Sequence, residues 1–136
     1  MSAPTLNEAM HYGSDFVRGI KMVESNKIAL HVSGTASIDE VGRTAHPGDF
    51  DGQVERMLVN VKALLEGQGT GFGDVVSAVT YLKRATDAGR LRRRLGTLSV
   101  WTDGAMGYSC GGEDCREGAR VSGEGAGSGS SLLTVL

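Results

Sequence analysis

A mixed strand and helix domain, in the order strand, strand, helix, strand, helix, is what the residues of this chain predict. Three observations carry that expectation. Phe50, Val54, Met57, Leu58, Val61, Leu64 and Leu65 fall at i, i+4, i+7, i+8, i+11, i+14 and i+15, one stripe of a 3.6-residue period. Two apolar runs, Ile28 to Val32 and Val75 to Leu82, are short, rich in β-branched residues and bounded by turn formers, as strands are. Between the loosely alternating run Phe16 to Val23 and Ile28 lies the polar tetrapeptide Glu24-Ser25-Asn26-Lys27, so the first two strands should pair antiparallel through a hairpin.

Residues 1–14 carry Pro4 and Gly13 and read as an extended lead-in. The run Ile28 to Val32 reads as a buried strand and as the platform for the helix stripe, with His31 a hydrogen-bonded core or interface residue. After Gly34 the chain continues extended through Asp39 and turns at Glu40 to Arg43. His46-Pro47-Gly48-Asp49 is a helix start, because Asp49 can accept from the free amides of the first turn and Asp51 suits the positive end of the helix dipole. Seven buried side chains, at roughly 1.5–3 kcal/mol each, make this helix the largest source of stability in the chain.

The helix should end in the glycine-rich segment Gly67 to Gly73, read as a left-handed cap and connection. This segment follows a helix and lacks a Lys-Ser/Thr, so it is not a phosphate-binding loop. Thr86 or Asp87 should cap a second helix, Ala88 to Leu95, with Leu91 and Leu95 on its apolar face. Arg90, Arg92, Arg93 and Arg94 then form a solvated basic side, since no aromatics are interleaved with them. Gln53 and Asn60 flank the apolar stripe and should satisfy backbone groups.

At 136 residues the chain suits one domain. A net charge of -2 with mixed signs argues against nucleic acid as a partner. No apolar run approaches 18 residues, and Met1 to Asn7 lack the pattern of a signal peptide, so a cytoplasmic protein without a membrane span is expected. Cys110 and Cys115 are expected to be thiols. Two thiols with four residues between them fall short of a four-ligand zinc site, and a cysteine nucleophile would need His11, His31 or His46 close by.

Taken together, Ser33-Gly34-Thr35-Ala36-Ser37-Ile38-Asp39, the His46-Pro47-Gly48-Asp49 turn, Gln53, Arg56, Leu58 and Asn60 on the helix, and Asp74 followed by Tyr81-Leu82 resemble the YjgF/RidA (endoribonuclease L-PSP-like) family. The resemblance covers about residues 11–95, and the wording is most similar to longer RidA-like proteins and to the related chorismatases. It implies an α+β fold of the chorismate-mutase type: a mostly antiparallel sheet of about six strands with two helices packed on one face. It further implies a homotrimer with ligand clefts between subunits. The implied activity is hydrolysis of small reactive enamine/imine intermediates to a 2-oxo acid and ammonia, with a small carboxylated metabolite as partner and no cofactor or metal.

By the same resemblance, Gly34 matches the turn glycine of the pocket, with Ser33 and Thr35 beside it. Tyr12 corresponds to the pocket tyrosine, and Thr86 stands where many members carry an asparagine. The family also uses an arginine on a late strand to grip the carboxylate and a glutamate on the last strand to handle water or a proton. Here the pattern stops at Leu95. Ten of the 21 glycines fall in the 41 residues that follow, with Arg116 and Arg120 the only basic residues among them. Arg120 and Glu124 are the echo of the arginine and glutamate, later in the chain than the family places them.

The expected division is therefore an incomplete RidA-like domain, 1–95, and an atypical tail, 96–136, in which Leu98 to Trp101 is the segment suited to a strand and Ser122 to Ser131 reads as linker. A disordered tail and a shifted reading frame in a GC-rich gene would each account for such a change of composition. Loss of the charged groups would leave a non-catalytic binding domain or a chorismatase-type fragment as the alternatives to an active deaminase.

Overall fold

The stripe beginning at Phe50 becomes the central helix of the structure, α1 (Phe50–Glu66). The computed structural model describes residues 4–6 and 17–97, and the backbone of two further strands at 106–110 and 132–135. Asp49 is the N-cap in extended conformation and accepts from the Gly52 N–H at 3.2 Å, the hydrogen bond expected of a capping carboxylate. All seven stripe residues are buried.

The helix ends at Gly67, whose φ of -61° is right-handed. The left-handed residue lies two positions on, Gly69 at φ +75°. Thr70 then closes the end, its N–H and its hydroxyl both bonded to the Leu65 carbonyl at 3.1 Å. The expected left-handed cap thus exists, displaced to where the chain reverses.

The first two strands are β1 (Gly19–Val23) and β2 (Ile28–Val32), antiparallel from Gly19 opposite Val32 to Val23 opposite Ile28. Glu24 N–H to Lys27 carbonyl, 2.9 Å, closes the hairpin between them. Only Val32 of β2 is buried; Ile28 is 60% exposed and His31 is exposed too. This corrects the expectation of a buried strand and of His31 as a core residue. A run of apolar residues specifies a strand, but whether both of its faces are covered depends on what packs beyond it.

After Gly34 comes the short strand β3 (Thr35–Ala36), followed by the loop to α1. A single-turn helix, Phe72–Asp74, leads towards β4 (Ala78–Leu82), which begins three residues later than expected: Val76 is 90% exposed. Ala78, Thr80 and Leu82 are buried and Val79 and Tyr81 half-buried, the alternation of a strand with one face on a core.

Another single turn, Ala85–Asp87, feeds α2 (Ala88–Thr97) without a break. Thr86 therefore lies within a turn instead of capping a helix, and the carboxylate of Asp87 pairs with Arg84 at 3.3 Å. Leu91 and Leu95 are buried as expected. The basic side of α2 is less solvated than expected, because Arg90 pairs with Asp51 at 2.9 Å and Arg94 with Glu55, two rungs between the helices. Arg90 also lies 5.4 Å from the centre of the Phe50 ring.

Two strands come from the segment beyond Leu95: β5 (Met106–Cys110) and β6 (Leu132–Val135). They complete a four-stranded sheet in the order β3-β6-β4-β5, with β1-β2 a separate two-stranded ribbon. Three of the four strand pairings are antiparallel and β4-β5 is parallel. Leu98 to Trp101, the segment expected to pair, lies outside the described residues.

Two clusters fill the core. Phe50, Val54, Met57, Leu58 of α1 pack with Leu82, Leu91 and Leu95. Val61, Leu64 and Leu65 pack with Val32 and Leu6. The helix thus spans from β4 and α2 at one end to the end of β2 at the other. The architecture is α+β, with a mostly antiparallel sheet and two helices.

Candidate functional site

The turn Ser33-Gly34-Thr35 joins the β1-β2 ribbon to the main sheet and is tied to the residues just before β1 and to itself. Ser33 N–H donates to the Arg18 carbonyl at 3.0 Å, and its hydroxyl donates to the Val17 carbonyl at 2.6 Å. Thr35, fully buried, turns its hydroxyl back to the Ser33 carbonyl at 2.9 Å. Gly34 sits half-buried between two residues so tied.

The loop after the turn is held from two sides. Within the loop, Ser37 and Ala45 bond twice, Ala45 N–H to Ser37 carbonyl and Ser37 hydroxyl to Ala45 carbonyl, each 2.9 Å. The Asp39 carboxylate accepts from the Val41 and Arg43 N–H groups at 3.0 and 2.8 Å. The Arg43 amide bond, with help from Val41 and the Arg43 charge, lowers the Asp39 pKa below its ordinary value.

From the helix side, a polar row reaches the same loop. Gln53 Nε2 donates to the His46 carbonyl at 2.9 Å. Arg56 donates to the carbonyls of Ile38 and Thr5, at 2.9 and 3.1 Å, and to Glu40 at 3.0 Å. The Arg56 bond lowers the Glu40 pKa. Asn60, fully buried, donates from Nδ2 to both Ala36 and Ile38 carbonyls at 3.1 Å. Gln53, Arg56 and Asn60 stand at i, i+3 and i+7, so one side of α1 packs apolar groups while the adjoining side satisfies loop carbonyls.

His46 has φ +55°, in the left-handed region that L side chains seldom adopt. Its carbonyl accepts from both Gln53 and the Asp49 N–H, at 2.9 and 3.1 Å, and those bonds hold the chain as it enters the helix.

Of the residues expected at a site, Ser33, Gly34 and Thr35 are brought together with Arg18. Thr86 is exposed in the turn before α2 and takes no part in the bonds that build the Ser33 turn. Tyr12, Arg120 and Glu124 lie outside the described residues, as do His11 and Cys115. Gln53 and Asn60 satisfy backbone groups as expected. From sequence, Arg56 belongs to the helix pattern that carries the family resemblance, and Arg18, with Arg43, is the cation to test as carboxylate clamp if Arg120 is not one. Arg56 carries a signal, since it completes the polar row between Gln53 and Asn60. Among the described residues no cluster of three or more His, Cys, Asp or Glu is arranged to hold a metal ion.

An α+β domain with a glycine turn clamped between its first ribbon and its long helix is the class of protein that fold and site define. Residues 9–99 match the Endoribonuclease L-PSP family, and the chain belongs to that family, the one also called YjgF/RidA. A RutC family protein of Pyrococcus abyssi is 34% identical over 62 residues, 46% of this chain and 49% of the relative, so the match spans about half the length of that relative. RidA from an Antarctic Psychrobacter superposes with a TM-score of 0.71 at 15% identity, over 99% of this chain and 94% of the other. TdcF of E. coli, solved with bound serine, gives 0.69 at 16% identity over 99% and 93%. A chorismatase gives 0.71 at 19% identity, over 99% of this chain but 41% of that one. At these identities the structures share the fold.

Proposed function

We propose that this protein binds a small carboxylated metabolite at the Ser33-Gly34-Thr35 turn and hydrolyses reactive enamine/imine intermediates to a 2-oxo acid and ammonia. The observation that carries the reading is the turn itself: a glycine held between two tied residues, at the family's pocket position, with its loop clamped by Gln53, Arg56 and Asn60. Such rigidity is what a binding backbone needs, because positioning contributes most when it is in place before the ligand arrives. The serine in TdcF, a small amino acid in a protein of the same fold, supports the choice of ligand class.

In the proposed reaction the enamine of 2-aminoacrylate takes a proton on its terminal carbon to become an imine. Water adds to the C=N carbon, a proton passes to nitrogen, and ammonia leaves as the carbonyl forms. No cofactor is required by this balance. The proton and water handling falls to Glu124 and the carboxylate grip to Arg120 if the family's pattern is kept, both in the tail.

The functional unit is proposed to be a homotrimer in the cytoplasm, with clefts between subunits. Ile20, Met22, Val23 and Ile28 of the β1-β2 ribbon are all more than 40% exposed in the single chain, at 54, 45, 73 and 60%. An apolar ribbon of this kind is suited to burial against another subunit. Among the described residues no helix is long and apolar enough to cross a membrane.

Generating 2-aminoacrylate enzymatically and following ammonia release tests the activity. Release above the background rate is expected. Release at background, in a folded protein, points to the second reading, a binding domain without chemistry. The chorismatase match, in which this chain accounts for 41% of the other, favours a third reading as a fragment of such a hydrolase, and chorismate turnover by the isolated chain would decide for it.

A further inference from the structure

We propose that residues 4–6 form a strap that latches the Ser33 turn, so that the turn and its loop are held only while the strap lies against α1. The latch stands on the contacts themselves. Its consequence, that the strap governs whether the proposed binding turn is formed, rests on the reading above.

The strap is attached at two points. Leu6 is buried and packs with Val32, Val61, Leu64 and Leu65, in a cluster that Ile38 also adjoins. One residue earlier, the Thr5 carbonyl accepts from Arg56 Nη2 at 3.1 Å. Val32 immediately precedes the turn, and Ile38 lies just past β3. The strap therefore meets the chain on both flanks of segment 33–37.

Arg56 makes this more than a packing contact. Its Nε donates to the Ile38 carbonyl at 2.9 Å, and its Nη2 serves Glu40 at 3.0 Å as well as Thr5. The guanidinium is a rigid planar fork, so a single side chain of α1 joins strap and loop through donors whose relative positions are fixed. That side chain is 20% exposed, and a charge so far buried needs its acceptors. When the strap leaves, the Thr5 carbonyl leaves with it, and the guanidinium turns toward water and away from Ile38.

The strap is also the weaker side of the junction. On the helix side Asn60 adds two bonds, to the Ala36 and Ile38 carbonyls. On the strap side Thr5 Oγ1 is buried and meets no hydrogen-bond partner among the described residues. A buried hydroxyl with unmet bonding capacity favours release, because in solvent it regains its bonds. A segment so held opens before the core does.

Leu6→Asp in the full chain tests the latch, because a carboxylate is excluded from the apolar cluster and the strap must leave. Amide exchange is read at Ser33, whose N–H bonds to the Arg18 carbonyl, and at Ala45, whose N–H bonds to the Ser37 carbonyl. Leu58, in the other core cluster, is the reference. Protection at Ser33 and Ala45 should fall about tenfold further than at Leu58, the pattern of a local opening. Arg56→Lys keeps the charge and loses the fork, and should lower protection at Ala45 in the same selective way.

An equal fall at all three positions in Leu6→Asp is a loss of overall stability and overturns the latch, as does unchanged protection at Ala45 in Arg56→Lys. Should Leu6→Asp not fold, wild type in low denaturant decides: Ser33 and Ala45 should open ahead of Leu58, in the range where the Leu6 methyl signals shift. Opening only together with Leu58 overturns the inference. Ammonia release from 2-aminoacrylate is measured apart from this, so background release beside a latch that opens as described removes the functional reading and leaves the latch standing.

Discussion

The long helix and the first ribbon are built from similar amounts of apolar sequence, yet they end in opposite environments. Along α1, Val54, Val61 and Leu64 are wholly buried, whereas on β1 and β2 Ile20, Val23 and Ile28 remain more than half exposed. The helix finds its partners within the chain, in Leu82, Leu91 and Leu95 at one end and Val32 and Leu6 at the other. In the ribbon Val32 packs on the helix, while Val23 and Ile28, farther along the same face, and Ile20 on the opposite face stay exposed. Apolar side chains in the two regions therefore should not be equivalent, one set stabilising the single chain and the other serving what the chain meets.

Truncation should expose the difference most strongly. Leu64→Ala removes a fully buried side chain and should cost about 2–5 kcal/mol in denaturant unfolding. Ile20→Ala, on the exposed ribbon, should change the stability of the isolated chain by no more than about 0.5 kcal/mol. Equal losses would abolish the distinction. If the ribbon is covered in a trimer, Ile20→Ala should instead lower the mass seen by light scattering at dilute protein.

The polar row beside the stripe offers a smaller effect. Asn60→Ala deletes two bonds, to the Ala36 and Ile38 carbonyls, which keep the Ile38 N–H and Arg56 Nε as donors, at a cost of about 0.5–1.5 kcal/mol. Asn60 Oδ1 meets no donor among the described residues, and Asn60→Asp keeps the shape but puts an acceptor where Nδ2 donates to two carbonyls. Asn60→Asp matching wild type in urea unfolding would show that the loop does not depend on the amide.

Gly52→Ala sharpens the view of the helix start. Alanine should favour a helix interior by about 1 kcal/mol, but its Cβ would come 2.5 Å from Asp49 Oδ2 and 3.0 Å from the His46 ring. Loss of the Asp49 cap, about 0.5–2 kcal/mol, should therefore offset or exceed the gain. A net rise in melting temperature would mean that the cap shifts aside freely.

The smallest effect is in acid. Asp39 and Glu40 have pKa values lowered in the folded state by the Arg43 amide and by Arg56, respectively. A lowered carboxylate contributes stability that is complete above its unfolded pKa and is lost as pH falls through the folded one. Between neutrality and about pH 5 the loop should thus be unaffected, and it should loosen below about pH 4. Amide exchange at Val41 and Arg43, whose N–H groups bond to Asp39, reports it; protection unchanged at pH 3 would contradict the role given to that carboxylate.

Much of this is legible in the residues. The spacing from Phe50 to Leu65 specifies α1 and its buried face, and His46 to Asp49 locates its start. The tetrapeptide Glu24 to Lys27 specifies the hairpin. The Ser33 turn is found by its resemblance to family members. What Arg56 does is not legible in its neighbours, because Arg56 Nη2 meets Thr5 across 51 positions.

Periodicity belongs to the local chain, because 3.6 and 2.0 residues per repeat follow from backbone geometry alone. So the sequence by itself determined the two helices and the strands that precede them, which side of α1 is apolar and where the chain turns up to Leu95. Only the tertiary structure decided that His31 is exposed, that Arg18 is buried, and that β5 and β6 join β3 and β4 in one sheet. Exposure, charge burial and strand order depend on contacts between distant segments, and those exist only once the chain has packed.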